Sequence, residues 1–164
     1  VQILLNYFKE YYMHNNTIPF FKNLFDLQLF NTFRSYIDLN KTYPIKLNMH
    51  TDKRGFFSEI LKTQTGGQFS FSTTLPNISR GNHFHTRKIE RFTVLQGKAK
   101  ICLRKIGSNM VHEFLLDGDK PSFVDMPIWY THKITNIGKV QLITSFWINE
   151  PYNSKDADTY FENV

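Results

Sequence analysis

One cysteine, Cys102, stands among 164 residues, so no intramolecular disulfide can staple this chain. The start also lacks the charged, apolar and small-residue order of a secretory leader, and a reducing, cytoplasmic setting is the default expectation. No uncharged apolar run approaches the roughly 18 residues that a membrane-crossing helix needs, so no membrane partner is expected. Neither G-x-x-G-x-x-G nor Y-x-x-x-K occurs, which leaves no NAD(P) site to expect. Hydrophobic residues at 41% and charged residues at 21% exclude collagen-like, low-complexity and wholly disordered classes. The net charge of +6 would suit nucleic acid or a phosphorylated small molecule, but Lys and Arg are scattered, and no nucleic acid is expected. The first residue is Val rather than Met, which reads as a cut from something longer.

Aromatics are abundant: 16 Phe, 8 Tyr and 2 Trp, types that fit pleated, half-buried surfaces. Residues 1–40 carry apolar stripes at three- and four-residue intervals, one through Ile3 to Tyr12 and one through Leu29, Phe30, Phe33, Tyr36 and Ile37. They predict two short helices. Asn15, Asn16, Thr17 and Pro19 break the first, and Asn40, Lys41, Thr42 and Pro44 follow the second. Residues 41–164 break into strand-length pieces, namely 45–49, 55–62, 67–73, 91–95, 98–104, 111–116, 122–126, 132–136 and 140–148. Such spacing predicts a mainly β sandwich or small barrel. In 98–104, Ala99, Ile101 and Leu103 take one face, which leaves Cys102 unremarkable on the other.

Chemistry concentrates in 81–97. His83 and His85 are two apart, so on a strand both rings leave one face with Cα atoms about 6.6 Å apart. Glu90 can join them only if Thr86, Arg87 and Lys88 bend the chain. His132, after the turn at Pro127, can complete a four-ligand site. Imidazole nitrogens with one carboxylate suit zinc, iron, manganese or nickel. His14, His50 and His112 have no partners in sequence and read as surface or satisfied core.

G-N-H-F-H-T-R-K-I-E-R-F-T-V-L-Q-G resembles the first cupin motif, and Pro127, Trp129, His132 and Asn136 resemble the second, with Trp129 where the family usually has Gly. Stretches 52–63 (D-K-R-G-F-F-S-E-I-L-K-T), 66–71, R-G-N-H-F-H, P-I-W-Y-T-H and the tail F-W-I-N-E-P with D-A-D-T-Y-F are similar to the C-terminal cupin domain of the bifunctional UDP-2-acetamido-2,6-dideoxy-hexulose epimerase/reductases of capsule and O-antigen synthesis. The helical start resembles the end of their short-chain dehydrogenase domain, so 1–40 is expected to be its remnant and 41–164 the cupin (double-stranded β-helix, jelly-roll) barrel.

The resemblance implies a nucleotide-sugar C3 epimerase acting on a UDP-4-keto-6-deoxy-N-acetylhexosamine toward UDP-N-acetyl-L-fucosamine. It also implies a divalent metal, Zn2+, and a homodimer whose dehydrogenase domain is missing here. Expected metal ligands are His83, His85, Glu90 and His132. Removing a proton beside a ketone needs a base, an acid and charge at the enolate oxygen. His85, if not ligated, is the expected base, Lys88 a source of charge and Tyr130 the acid. Arg54 and Glu59, in a D-x-R-G-x-x-x-E strand similar to that of deoxysugar epimerases, and Arg91 are expected to hold the UDP-sugar. The competing expectation is a non-catalytic, metal-stapled module that binds the UDP-sugar or mediates dimerisation.

Overall fold

The computed structural model describes every residue except Asn15, and His14 by its backbone alone. The expectations placed on Asn15 and on the His14 side chain therefore lie outside the described residues. Helix α1 (Gln2–Tyr7) runs on through a π-helical turn at Phe8–His14, and a two-residue strand β1 (Thr17–Ile18) follows. Helix α2 (Leu24–Ser35) starts five residues before the apolar stripe because the Asn23 side chain accepts the Asp26 N–H at 3.0 Å, a strong N-cap. Asp38 caps a further single turn, α3 (Leu39–Thr42), where the sequence pattern gave only a stop. Tyr7 and Phe30 meet edge to face at 5.2 Å and, with Pro19, are the buried residues among those described in this segment.

The remaining strands are β2 (His50–Asp52), β3 (Gly55–Thr63), β4 (Gln68–Thr74), β5 (Ser79–Phe84), β6 (Glu90–Gln96), β7 (Lys98–Lys105), β8 (Val111–Asp117), β9 (Phe123–Met126), β10 (Tyr130–Asn136), β11 (Leu142–Ile148) and β12 (Tyr160–Phe161). One sheet runs β1-β3-β4-β11-β6-β9 with β2 on β3, and the other runs β12-β5-β10-β7-β8. Together they form the mainly β jelly roll expected. Strand β1 lies parallel to β3, Thr17 opposite Lys62, so the helical segment is tied to the larger sheet by backbone hydrogen bonds.

Between the sheets lie Val94, Ala99, Ile101, Leu103, Leu116, Met126, Ile134 and Leu142. Their burial is the main force holding the sheets together, at roughly 25 cal/mol per Å² of apolar surface. The alternation in β7 is as expected, with Ala99, Ile101 and Leu103 on the core side. The strand expected at 45–49 does not form a ladder; pairing begins only at His50, opposite Phe57. No helix among the described residues is long and apolar enough to cross a membrane.

Candidate metal centre

The centre starts from two paired strands. His83 on β5 and His132 on β10 are direct antiparallel partners, with ring centroids 4.4 Å apart. The strands close up because of Gly81: at φ +107° a Cβ there would lie 2.4 Å from the His132 carbonyl oxygen. A register shift between His132 and Lys133 follows from that approach. His85 lies just past the end of β5. Its Nδ1 is 2.5 Å from the Asp158 carbonyl oxygen, which fixes Nδ1 as the donor and leaves Nε2 free.

The expected bend at 86–88 is present, and Asp158 makes it. Its carboxylate accepts the backbone N–H groups of Thr86 at 3.1 Å, Arg87 at 3.0 Å and Lys88 at 3.0 Å, together with the Thr86 hydroxyl at 2.5 Å. The chain thereby crosses to the other sheet, where Glu90 opens β6 facing inward. Glu90 Oε2 lies 3.1 Å from His132 Nε2 and 3.4 Å from His85 Nε2. One potential ligand atom from each of His83, His85, Glu90 and His132 falls within 4.8 Å of all the others.

Burial, with His132 beside it, pushes the His83 imidazole down to about 4, so it stays neutral. Burial disfavours the charge on Glu90, yet the two imidazoles hold its carboxyl well below the usual carboxylate range. Burial also opposes a proton on His85, but Glu90 and the Asp158 carbonyl outweigh it and raise the value. His85 Nε2, Glu90 Oε2 and both ring nitrogens of His132 are buried without a hydrogen-bond partner. Each such orphan costs about 1–3 kcal/mol. Orphaned imidazole nitrogens and a carboxylate converging on one point are the donor set of a divalent ion. The residues fit a metal.

Two cavities open on this cluster. The first, about 380 Å³, is walled by His83, Glu90 and His132 on one side and by His50, Asp52, Arg54 and Arg80 on another, with Phe57, Phe92 and Phe146 between. The second, about 500 Å³, shares His50, Phe57, His83, Glu90 and Phe146 and adds His85, Lys88, Glu59, Tyr152 and Thr159.

Arg54 therefore does face the cluster's first cavity, held by Asp52 at 2.9 Å through its Nε. Glu59 lines the second and pairs with Lys62 at 2.6 Å. Lys88, expected as a source of charge, lines the second cavity and is only 1% exposed; its Nζ donates to the Ala157 carbonyl at 2.6 Å and lies 3.7 Å from Glu150. Two of the expected site residues lie away from these cavities. Tyr130 is on neither cavity wall, and its side chain packs against the hydrophobic core cluster. Arg91 points outward, since it alternates with inward Glu90 and Phe92, and there it pairs with Asp125 at 2.7 Å over the Phe123 ring.

Three site residues escaped the sequence reading. Asp158 lies in the tail, and only its acidic type in D-A-D-T-Y-F hinted at it. Arg80 directly precedes Gly81 and is anchored by Thr74 Oγ1 at 3.1 Å and the Thr73 carbonyl at 3.0 Å. His50 had no local partner to announce it.

A jelly roll in which three histidines and one carboxylate converge beside an arginine-walled cavity defines a cupin-like domain with a group that could hold a metal ion. Residues 50–160 match the family described as Polysaccharide biosynthesis C-terminal domain, and the chain belongs to that family. It is 36% identical over 132 residues to the UDP-2-acetamido-2,6-beta-L-arabino-hexul-4-ose reductase of Pseudomonas aeruginosa, covering 80% of this chain and 35% of that one. The crystal structure of the capsular polysaccharide assembling protein CapF of Staphylococcus aureus superposes with a TM-score of 0.90 at 38% identity, over 98% of this chain and 43% of CapF. The spore coat polysaccharide biosynthesis protein SpsL of Bacillus subtilis is 23% identical over 123 residues, covering 69% of this chain and 82% of SpsL. The chain thus spans about a third of the reductase and less than half of CapF.

Proposed function

We propose that this domain epimerises C3 of a UDP-4-keto-6-deoxy-N-acetylhexosamine in UDP-N-acetyl-L-fucosamine synthesis for capsule or O-antigen, beside a dehydrogenase domain that reduces C4. The observation that carries this reading is the convergence of His83, His85, Glu90 and His132 at the junction of two cavities, in a chain of a polysaccharide-biosynthesis family. Its relatives include a hexulose reductase much longer than this chain.

The substrate's chemistry matches the walls. A diphosphate calls for cations, and Arg54 and Arg80 supply two guanidiniums on the first cavity, each charge-assisted bond contributing about 1.5–3 kcal/mol. A sugar ring calls for flat apolar surface, and Phe57 and Phe146 stack at 5.6 Å to give it. Proton removal beside the ketone calls for positive charge where the enolate oxygen develops. The buried Lys88 ammonium lines the second cavity and provides one such charge. A divalent ion held by His83, His85, Glu90 and His132, which we take to be zinc, would supply another when bound. With all three histidines as ligands, His85 positions the ion rather than acting as base. CapF has also been solved with the inhibitor 3-isopropenyl-tropolone. Tropolones carry adjacent oxygens that chelate divalent cations, so such an inhibitor suits a metal-dependent relative. We extend the reading to a homodimer, tested by light scattering at micromolar concentration.

The test is incubation of the metal-loaded chain with the 4-keto sugar in deuterated water, without NADPH. Deuterium at C3 is the expected result. Its absence from a folded, metal-containing sample, with binding of the UDP-sugar retained, would leave the non-catalytic module.

A further inference from the structure

His50 is the first residue of β2, opposite Phe57 on β3, where the hairpin rims the cavities. It lines both the first and the second cavity. Four other residues share both walls. His83 and Glu90 belong to the metal cluster, and Phe57 and Phe146 carry no titratable group. Among the described residues, His50 is thus the one titratable side chain outside the ligand set that reaches both cavities. It is exposed, and no hydrogen bond or ion pair engages its imidazole among the described residues.

A path of rings connects it to the cluster. The His50 ring lies 6.0 Å from that of Phe57, Phe57 5.6 Å from Phe146, Phe146 5.2 Å from Phe92, and Phe92 6.0 Å from His132. A sugar lying along this floor has the cluster at one end and a free imidazole at the other. The hairpin that carries His50 also carries Asp52 and leads into Arg54, on the same cavity wall. A sugar whose diphosphate is held by Arg54 therefore lies next to His50.

We propose that His50 is the base that takes the proton from C3 of the sugar, an inference that rests on the epimerase reading above. The neutral imidazole accepts the C3 proton. The C–H electron pair becomes the C3–C4 double bond, and the C4 carbonyl electrons move to its oxygen as an enolate. C3 is reprotonated on the opposite face by a solvent water, and the hydroxide so formed is neutralised by the His50 imidazolium, which regenerates the base. Every atom balances, and the hydrogen gained at C3 comes from solvent. An exposed imidazole suits this step because it can exchange its proton with bulk water in each turnover.

His50→Ala and His50→Gln would be compared with wild type and with the control His112→Ala by NMR of C3 deuteration in deuterated buffer. Metal content and melting temperature would be measured on each sample. Both His50 variants should bind wild-type amounts of metal and lose about 100-fold or more in exchange rate. Added imidazole should restore part of the rate to His50→Ala, because the site is open. The control should exchange at the wild-type rate. Exchange within threefold of wild type in either folded His50 variant overturns the inference and leaves the epimerase reading standing. A wild-type chain that fails to exchange overturns both.

Discussion

The Asp158 carbonyl oxygen accepts a hydrogen bond from His85 Nδ1 at 2.5 Å although 73 residues separate the two. The same residue's carboxylate ties down the three backbone N–H groups that follow His85. One tail residue thus sets both the His85 ring orientation and the bend that brings Glu90 to it. Asp158→Ala keeps the carbonyl but releases the bend. Stability should fall by about 3 kcal/mol, since the bonds lost are charge-assisted and the residue is 5% exposed. That corresponds to about 6–12 °C in melting temperature for a domain of this size. Metal affinity should fall about 10–100-fold, as for other loss of outer-shell support. Scanning calorimetry and a chelator titration check the two, and an unchanged metal affinity would show that the tail does not position His85.

The same carboxylate gives a pH dependence. Burial would raise the Asp158 value, but the Thr86 hydroxyl and the backbone N–H groups of 86–88 bring it down to about 2 from 3.8. A carboxyl depressed in the folded state contributes stability that is present above its unfolded value and lost as pH falls through the folded one. Wild type should therefore lose stability between about pH 4 and pH 2. Asp158→Asn should show a shallower loss over that window, measured by urea unfolding at each pH.

The metal cluster should behave as a structural staple as well as a site. His132→Ala removes one of the four candidate ligands from the middle of the smaller sheet, where it faces His83 and Leu103. Metal bound after dialysis should fall at least tenfold, and melting temperature should drop toward that of chelator-treated wild type. Identical melting of wild type with and without chelator would mean that no ion contributes to folding.

How far the sequence reached is clearest at these residues. The spacing of His83, His85, Glu90 and His132 was legible because period-two geometry and one polar bend suffice to converge them. Strand β5 itself was hard to see: S-R-G-N-H-F has a single large apolar side chain, and Gly81 and Asn82 sit at positive φ. Period-two alternation turns Arg91 away from the cavity once Glu90 faces inward, so its place was legible. That of Tyr130 was not, because sharing a strand with His132 says nothing about which part of the interior a ring fills. Asp158 holds the backbone of 86–88, and His50 shares its cavities with residues far away in sequence, which no local pattern records.

Trp129 offers a test of a departure from the family motif. It takes φ +63°, the left-handed conformation that explains why glycine is usual there. That costs about 1–2 kcal/mol for a residue with a Cβ. In return its indole stacks on Phe84 at 5.8 Å, and Phe84 stacks on Tyr160 at 5.2 Å, pinning β12 beside His83. Trp129→Ala loses the stack and keeps the strain, whereas Trp129→Gly loses both. The glycine variant should be more stable than the alanine variant by about 1 kcal/mol in denaturant unfolding, and the reverse order would place the strain elsewhere.

The arginines separate by the face they occupy. Arg54 and Arg80 line the first cavity, and Arg80 is anchored by Thr73 and Thr74 so that little entropy is lost when it meets a phosphate. Asp52 also faces Arg80 at 3.9 Å, so it partly neutralises the pair and keeps both guanidiniums from splaying apart. Arg91 sits on the outer face with its charge matched by Asp125. In calorimetric titration with UDP, Arg54→Ala and Arg80→Ala should each weaken binding about tenfold or more, at roughly 1.5–3 kcal/mol per charge-assisted bond. The salt dependence of binding should shrink with each, because a screened cation has been removed. Arg91→Ala should bind UDP as wild type does. Equal losses in all three would mean that the whole basic surface, rather than this cavity, attracts the nucleotide.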